Sequence, residues 1–327
     1  MRQTAQALDA PAVARPAQPV KRKVTGAMLK KDFKKYYTLY LLMIPVLLFY
    51  LYFHYKPMYG LLISFQEFNF KLGIWGSPWV GMKNFVRFFT DPYFGRNIIN
   101  TIYISAASIV FGFPAPIILA LLLNEVRQKW FVRSVQTISY MPHFVSLVVI
   151  CGMLKNFVGT DGFINAMVSF FTGNPPQESL LDNASLFVPI YVASDIWQQI
   201  GWGSIIYFAA LAGVDVELYD AAQVDGAGRL RQMWHVTLPC ILPTIITLFI
   251  LRLGTVLTVG YEKIILLTNA YNAETSEVLS YYIYKKGIAG GEYGLATAAG
   301  LFNSVINCVF VVVANFISRR VSETSLW

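Results

Sequence analysis

The chain has 327 residues, 56% of them hydrophobic and only 13% charged, with a formal net charge of +8. Soluble domains carry about a quarter charged residues, so half that share excludes an ordinary water-soluble globule and points to a bilayer as solvent. The basic residues sit in short runs beside apolar stretches, a pattern of membrane topology rather than of nucleic-acid binding.

In chain order, residues 1–36 read as a basic cytoplasmic tail, and its first 20 residues, rich in Ala, Pro and Gln, are predicted to be disordered. The first apolar run starts near Tyr37, after a basic stretch, and reads as a retained span rather than a cleaved leader. Six segments reach the roughly 20 residues that a hydrocarbon core requires: 37–55, 98–123, 135–158, 184–211, 240–262 and 295–317. They define a six-helix transmembrane domain over 37–320, followed by a short cytoplasmic tail at 321–327. Gly112, Pro114 and Pro116 predict a kink or break inside the second span. With the N-terminus inside, 16 Lys and Arg fall on inner segments and eight on outer ones, which sets both termini in the cytoplasm. Cys151, Cys240 and Cys308 all lie in apolar segments, cannot all pair, and read as small hydrophobes; no His/Cys cluster suggests a metal.

The outer loop 56–97 carries Phe65, Phe68, Phe70, Trp75, Trp79, Phe85, Phe88 and Phe89. These read either as an interfacial aromatic belt or as a docking surface, to which the outer segment 263–294, with Glu274, Glu277 and Glu292, is a candidate contributor. Within the spans, Asp195, Gln198, Gln199 and Trp202 recur at i, i+3, i+4 and i+7 and share one helical face. Arg252 and Thr255 lie in the fifth span. Buried polar groups of this kind face a cavity or another helix. A carboxylate, amides and an indole suit a carbohydrate, whose hydroxyls take the polar groups while the indole covers a C–H face. The competing reading is structural: Asp195 and Arg252 neutralise each other across two helices, and the amides hold helices together. Asn303 and Asn307, beside Gly300 and Ser304, read as such helix contacts.

The inner loop 212–239 is short, polar and free of catalytic clusters. Asp215 is a predicted N-cap with Glu217 in the first turn. A short helix runs through Tyr219, Asp220, Ala221, Ala222 and Val224, and Gly226-Ala227-Gly228 breaks it. A second helix leads from Arg229 to Leu238, with Pro239 at the start of the next span. The alanines give a low-relief face for a groove, and Asp220 offers a charge to a basic partner group.

The spaced pattern Tyr219-Asp220-Ala221-Ala222-Gln223-Val224-Asp225-Gly226-Ala227, then Val236-Thr237-Leu238-Pro239, resembles the EAA loop of ABC importer permeases. It departs from that loop at Asp220, where the family has Glu. Ile44-Pro45, Lys56-Pro57-Met58-Tyr59-Gly60, Gly260-Tyr261-Glu262-Lys263, Glu277-Val278-Leu279 and Tyr282-Ile283-Tyr284 are similar to the carbohydrate subgroup that includes alginate-import permeases. The resemblance implies an all-α integral membrane protein of the type I importer fold, in the bacterial cytoplasmic membrane. It also implies a second homologous permease, two ATP-binding-cassette ATPases and an extracellular solute-binding protein as partners, besides lipid. No Gly-rich P-loop with Lys-Ser/Thr occurs, so ATP and magnesium are expected in the ATPases and no cofactor in this chain.

The expected coupling residues are Tyr219, Asp220, Ala221, Ala222, Asp225, Gly226, Leu238 and Pro239. The expected cargo pathway is Asp195, Gln198, Gln199, Trp202, Arg252 and Thr255. The function so implied is the membrane subunit of an importer for an oligosaccharide, an acidic one if Arg252 grips a carboxylate. Alternatives are the same machine for a non-sugar solute, a secondary carrier, or a membrane enzyme; against the last, His54, His143 and His235 lie on three separate segments.

Overall fold

The structure, a computed structural model, describes residues 26–173 and 178–321. The disorder expected of the first 20 residues, and the tail beyond Val321, lie outside the described residues. Two units meet in sequence at Tyr59 and Gly60. The first contains α1 (Gly26–Tyr50), which is interrupted at Tyr36 (φ −114°, ψ 21°) and continues through a wide turn, Leu51–Tyr55, into a tighter helical stretch, Lys56–Phe65. Pro45 lies inside α1 and removes one rung of its hydrogen-bond ladder.

The second unit follows the predicted spans with two corrections. α2 (Phe94–Ala107) passes through a wide turn, Ser108–Gly112, into α3 (Pro114–Asn124). The predicted break is therefore a widening, because Pro114 sits in the first turn of α3, where a missing N–H costs nothing. The span expected at 135–158 is not one helix. α4 (Lys129–Tyr140) ends at a tight turn, Met141–Phe144, that holds Pro142, and α5 (Leu147–Val158) starts afresh after extended Val145. A short helix, Phe163–Thr172, follows it. α6 (Phe187–Ala212) has 26 residues, about 39 Å of rise, and covers the fourth predicted span.

After the inner helix α7 (Val216–Val224), the chain climbs through Arg229–Gln232 and a wide turn, Met233–Thr237, into α8 (Leu238–Leu253). The fifth span was expected to run to Glu262, yet α8 stops at Leu253. Gly254 begins an irregular stretch that leads to α9 (Tyr261–Leu267). A Cβ at Gly254 would lie 2.6 Å from Val311 Cγ2, so the chain turns where only glycine fits against the last helix. α10 (Leu279–Tyr284) and the 29-residue α11 (Tyr293–Val321) complete the fold.

Among the described residues, five stretches are both long and apolar enough to cross a membrane: Phe33–Phe65, Phe94–Asn124, Leu147–Thr172, Arg229–Leu253 and Tyr293–Arg320. α6 has the length but not the apolarity, because Asp195, Gln198, Gln199 and two serines lower its hydropathy. Among the described residues the only β pairing is an isolated bridge between Gln66 and Trp79.

Packing is concentrated around α6. Its N-terminal half (Phe187, Val188, Tyr191, Val192) packs with Ile104, Cys151, Ile264 and Val278, and its C-terminal half (Tyr207, Leu211) with Ile117, Ala120 and Ile241. Where lipid is as apolar as leucine, close packing and not water exclusion holds helices together, and small residues permit it. Gly201 is the closest point: a Cβ there would lie 2.2 Å from the Ser139 carbonyl oxygen, so the backbones of α4 and α6 touch.

The outer aromatics divide. Phe88 is buried and joins Phe94 and Phe302 in a third cluster, whereas Trp75 and Trp79 stand exposed. The expected acidic surface is largely engaged in ion pairs, Glu277 with Arg96 and Lys285, and Glu292 with Arg87 and Lys286.

Gly201→Val should destabilise the chain by at least the roughly 1–3 kcal/mol of a tight-core overpacking. Gly152→Ala on α5, where nothing lies within 4 Å of an added Cβ, should stay within about 0.5 kcal/mol of the parent. Thermal unfolding of the purified protein followed by tryptophan fluorescence compares the two; equal midpoints would refute the close α4–α6 contact.

Candidate functional site

The stretch after α8 builds the site. Backbone that leaves a helix within an apolar body needs other partners for its polar groups. Leu257 N donates to Asn307 Oδ1 (3.0 Å), and Asn307 Nδ2 donates to Thr258 Oγ1 (3.0 Å). Ser105 on α2 donates to the Val256 carbonyl, and Ser280 on α10 to the Val259 carbonyl. Asn307 thus performs the helix-joining role read from the sequence, but it grips irregular backbone, not a neighbouring side-chain amide.

This turn carries Lys263 inward. Lys263 is only 4% exposed; its Nζ donates to the Tyr191 carbonyl (3.1 Å), sits 4.4 Å from the centroid of the Tyr191 ring and lies 3.6 Å from Asp195 Oδ1. The structural pairing expected between Asp195 and Arg252 is therefore corrected: the counter-ion of Asp195 is Lys263. A fifth span running through Glu262 places Lys263 on the outer side, and the early end of α8 is what moves it. Arg252, in the last turn of α8, has no ion-pair partner among the described residues.

Two adjoining cavities surround these groups. The first, about 520 Å³, is lined by Ser105, Asp195, Gln198, Gln199, Arg252, Thr255, Glu262 and Lys263, among others. The second, about 510 Å³, is lined by Asp195, Gln199, Trp202 and Arg252 against apolar Phe113, Pro116 and Leu248. They share Ser108, Asp195, Gln199 and Arg252. All six residues expected on the pathway thus come together, Gln198 and Thr255 on the first cavity only and Trp202 on the second only. Chemically this is a lining of amides, hydroxyls, an indole, the Asp195–Lys263 ion pair, the Glu262 carboxylate on the first cavity and the Arg252 guanidinium, suited to holding a polyhydroxylated solute.

His143 belongs to the same neighbourhood and was not singled out from the sequence as a pathway residue. Its ring stacks on Trp202 (centroids 4.4 Å apart, 2° between planes), and its Nδ1 lies 2.9 Å from Gln199 Oε1. The signal available was Pro142, which ends α4 and turns the next residue toward α6. Tyr191, Ser105 and Lys263 likewise went unnoticed, because their roles depend on the irregular turn.

The inner loop is built as its residues predict. Asp215 Oδ1 accepts from Glu217 N (3.0 Å) and caps α7. At the other end Ala227 N donates to the Ala222 carbonyl (2.9 Å) and Gly226 N to the Gln223 carbonyl (3.0 Å), with Gly226 at φ +74°. This pair of bonds is the Schellman ending, which requires a left-handed residue at that position and so a glycine. Asp225 is the last residue before it. Tyr219 Oη lies 3.0 Å from Thr237 Oγ1, tying α7 to the turn that enters α8 at Leu238 and Pro239. Asp220 and Ala221 are exposed and Ala222 half-buried, and exposed Val216, Leu218, Val224 and Leu230 surround them with apolar surface.

Comparison with known proteins agrees with this anatomy. The sequence model of the binding-protein-dependent transport system inner membrane component family matches residues 112–323. Protein LplB of Bacillus subtilis (strain 168) is 45% identical over 302 residues, 92% of this chain and 93% of its own length. The polygalacturonan/rhamnogalacturonan transport system permease protein YteP of the same organism is 42% identical over 308 residues, 94% of this chain and 95% of its own. A chain in the crystal structure of a bacterial alginate ABC transporter, in complex with alginate pentasaccharide-bound periplasmic protein, superposes with a TM-score of 0.83 at 42% identity, covering 91% of this chain and 99% of that one. With the family model spanning well over half of its length, the chain belongs to the binding-protein-dependent transport system inner membrane component family.

Proposed function

We propose that this chain is the membrane-spanning permease subunit of an ATP-driven importer of an acidic oligosaccharide, and that it takes its cargo from a solute-binding protein. The observation that carries the acidic cargo is Arg252: a guanidinium with no ion-pair partner among the described residues, on two cavities where Asp195 is already paired with Lys263, Glu262 lines the first cavity only, and amides, hydroxyls and an indole supply the remaining polar lining. An unpaired Arg within a membrane costs roughly 2.5–3.5 kcal/mol on insertion scales, a cost that a cargo carboxylate would offset through bidentate hydrogen bonds. YteP, a polygalacturonan/rhamnogalacturonan transport permease, and the transporter of the acidic polysaccharide alginate support the same reading.

The partners in this reading are a second homologous permease, two ATP-binding-cassette ATPases that hold ATP and magnesium, and the extracellular solute-binding protein. Six spans, with both termini cytoplasmic, set the loop 212–239 on the inner side, and residues 37–320 form the permease domain. There α7 enters a groove of the ATPase, with Asp220 facing a basic group, and Tyr219, Ala221, Ala222, Asp225, Gly226, Leu238 and Pro239 shape the joint. The chain performs no chemistry; closure of the ATPases alternates access to the Arg252 cavities.

Topology can be read directly. In a background with the three native cysteines replaced, a cysteine at exposed Lys71 should react with an impermeant thiol reagent on intact cells, and one at Arg229 should not. Labelling of Arg229 would overturn the orientation and the ATPase contact with it.

Coupling is tested by Gly226→Val, which forces a β-branched residue to φ +74°, and by Asp220→Lys, which reverses the charge. In reconstituted complexes both should abolish cargo-stimulated ATP hydrolysis while the subunit still assembles. Stimulation at the parental level in both would remove α7 from the mechanism.

Arg252→Ala should leave complex yield unchanged and weaken uptake of an oligogalacturonate by about tenfold or more, the loss of a hydrogen bond to a charged group. Full uptake by that variant would sink the acidic-cargo contact.

A further inference from the structure

The two cations of the larger cavity are treated in opposite ways. Lys263 is almost inaccessible and is spent on a carbonyl, a tyrosine ring and a carboxylate. Arg252 is exposed on both cavities with no counter-ion among the described residues. The carboxylates differ as well. Glu262 lines the first cavity alone, whereas Asp195 lines both, and in the second cavity Asp195 and Arg252 are the only charged residues. The Asp195 side chain remains about one-third exposed to that space even while paired.

A carboxylate released there would have one strong partner within the second cavity, the Arg252 guanidinium, and would repel any anionic cargo approaching it. Something must hold it back, and the only group in ion-pair contact with it among the described residues is Lys263. Lys263 can do so from behind, without lining the second cavity, because its other two contacts, the Tyr191 carbonyl and ring, fix its ammonium against α6.

We infer that Lys263 is a positioning residue for charge selection: by holding Asp195 in an ion pair it keeps that carboxylate off Arg252, and so leaves the second cavity, which Glu262 does not reach, a guanidinium without a counter-ion for the cargo. The inference rests on the acidic-cargo reading above and names the buried group that sustains it. Lys263 does not touch the cargo. Its effect is exerted through Asp195 and should vanish when Asp195 carries no charge.

The test is direct binding of tetragalacturonate and of its fully methyl-esterified, neutral counterpart to the complete complex of permeases and ATPases in nanodiscs, without binding protein. The parent should prefer the acid by about tenfold or more, the discrimination expected of one bidentate charge contact. Lys263→Met should bring the two ligands within about twofold of each other, mainly by weakening the acid, as Asp195 turns to Arg252. Lys263→Arg should retain the preference. Asp195→Asn with Lys263→Met, which leaves no unpaired buried charge and so assembles even if the single variant does not, should restore it.

A purely structural Lys263 would weaken both ligands alike in the single variant, and that result overturns the inference. So does loss of acid preference in the double variant, which would make Lys263 itself the cargo contact. A parent without acid preference overturns the acidic-cargo reading and this inference together; a parent with it, and a Lys263→Met variant that keeps it, overturns this inference alone.

Discussion

Seven residues of irregular backbone, Gly254 to Gly260, set the terms for the rest of the molecule. Inside an apolar helical body each freed N–H and C=O costs several kcal/mol unless it finds a partner. Here the partners come from three directions: Ser105 on α2, Asn307 on α11 and Ser280 on α10. Each of those side chains is small or short, so the helices that bear them are drawn close around the turn. A deviation from helix that looks local therefore fixes the spacing of three helices and leaves a space between them.

That same turn decides where charge resides. Had α8 continued straight to Glu262, Lys263 would have emerged at its end among solvated residues. Because the helix stops at Leu253, Lys263 lies under Tyr191, and Arg252 is left at a helix C-terminus, where the dipole favours a cation. The polar character of α6 follows the same logic. Its Asp195, Gln198 and Gln199 face this space, which is why the longest internal helix of the second unit is less apolar than its neighbours. The outer segments hold their own charges in a separate network, where the Glu277 carboxylate keeps the Lys285 ammonium above its usual pKa. Ion pairs as exposed as Lys285 contribute at most about 1 kcal/mol each, so they define the outer surface more than they stabilise it.

Much of this was legible in the residues, for physical reasons that differ by region. The inner loop could be read almost completely, because caps and glycine turns are local: Asp215, Gly226 and Pro239 each act within a few residues of themselves. The shared face of Asp195, Gln198, Gln199 and Trp202 was legible because helical periodicity is also local. What escaped depends on tertiary partners. Apolar composition runs on through 240–262, and nothing in that stretch announces that Val256 and Val259 will bond to serines from helices far away in sequence. With the turn unseen, Arg252 is the cation that the expected fifth span offers to Asp195 across two helices, in the place that belongs to Lys263. Pro142 did announce its break, but a single proline in an apolar run is compatible with a kinked helix, so α4 and α5 were merged.

The two glycines that matter most differ in how evolution can work around them. At Gly201 the obstacle is a neighbour, the Ser139 backbone, so a shift of α4 relative to α6 can in principle make room for a larger residue. At Gly226 nothing lies within 4 Å of an added side chain; the obstacle is the residue's own left-handed backbone. No change elsewhere relieves a strain that is internal to one residue. Lineages that lose this glycine have no second-site route back: they regain the turn at the position itself, through glycine or the more tolerant asparagine, or they redesign the loop.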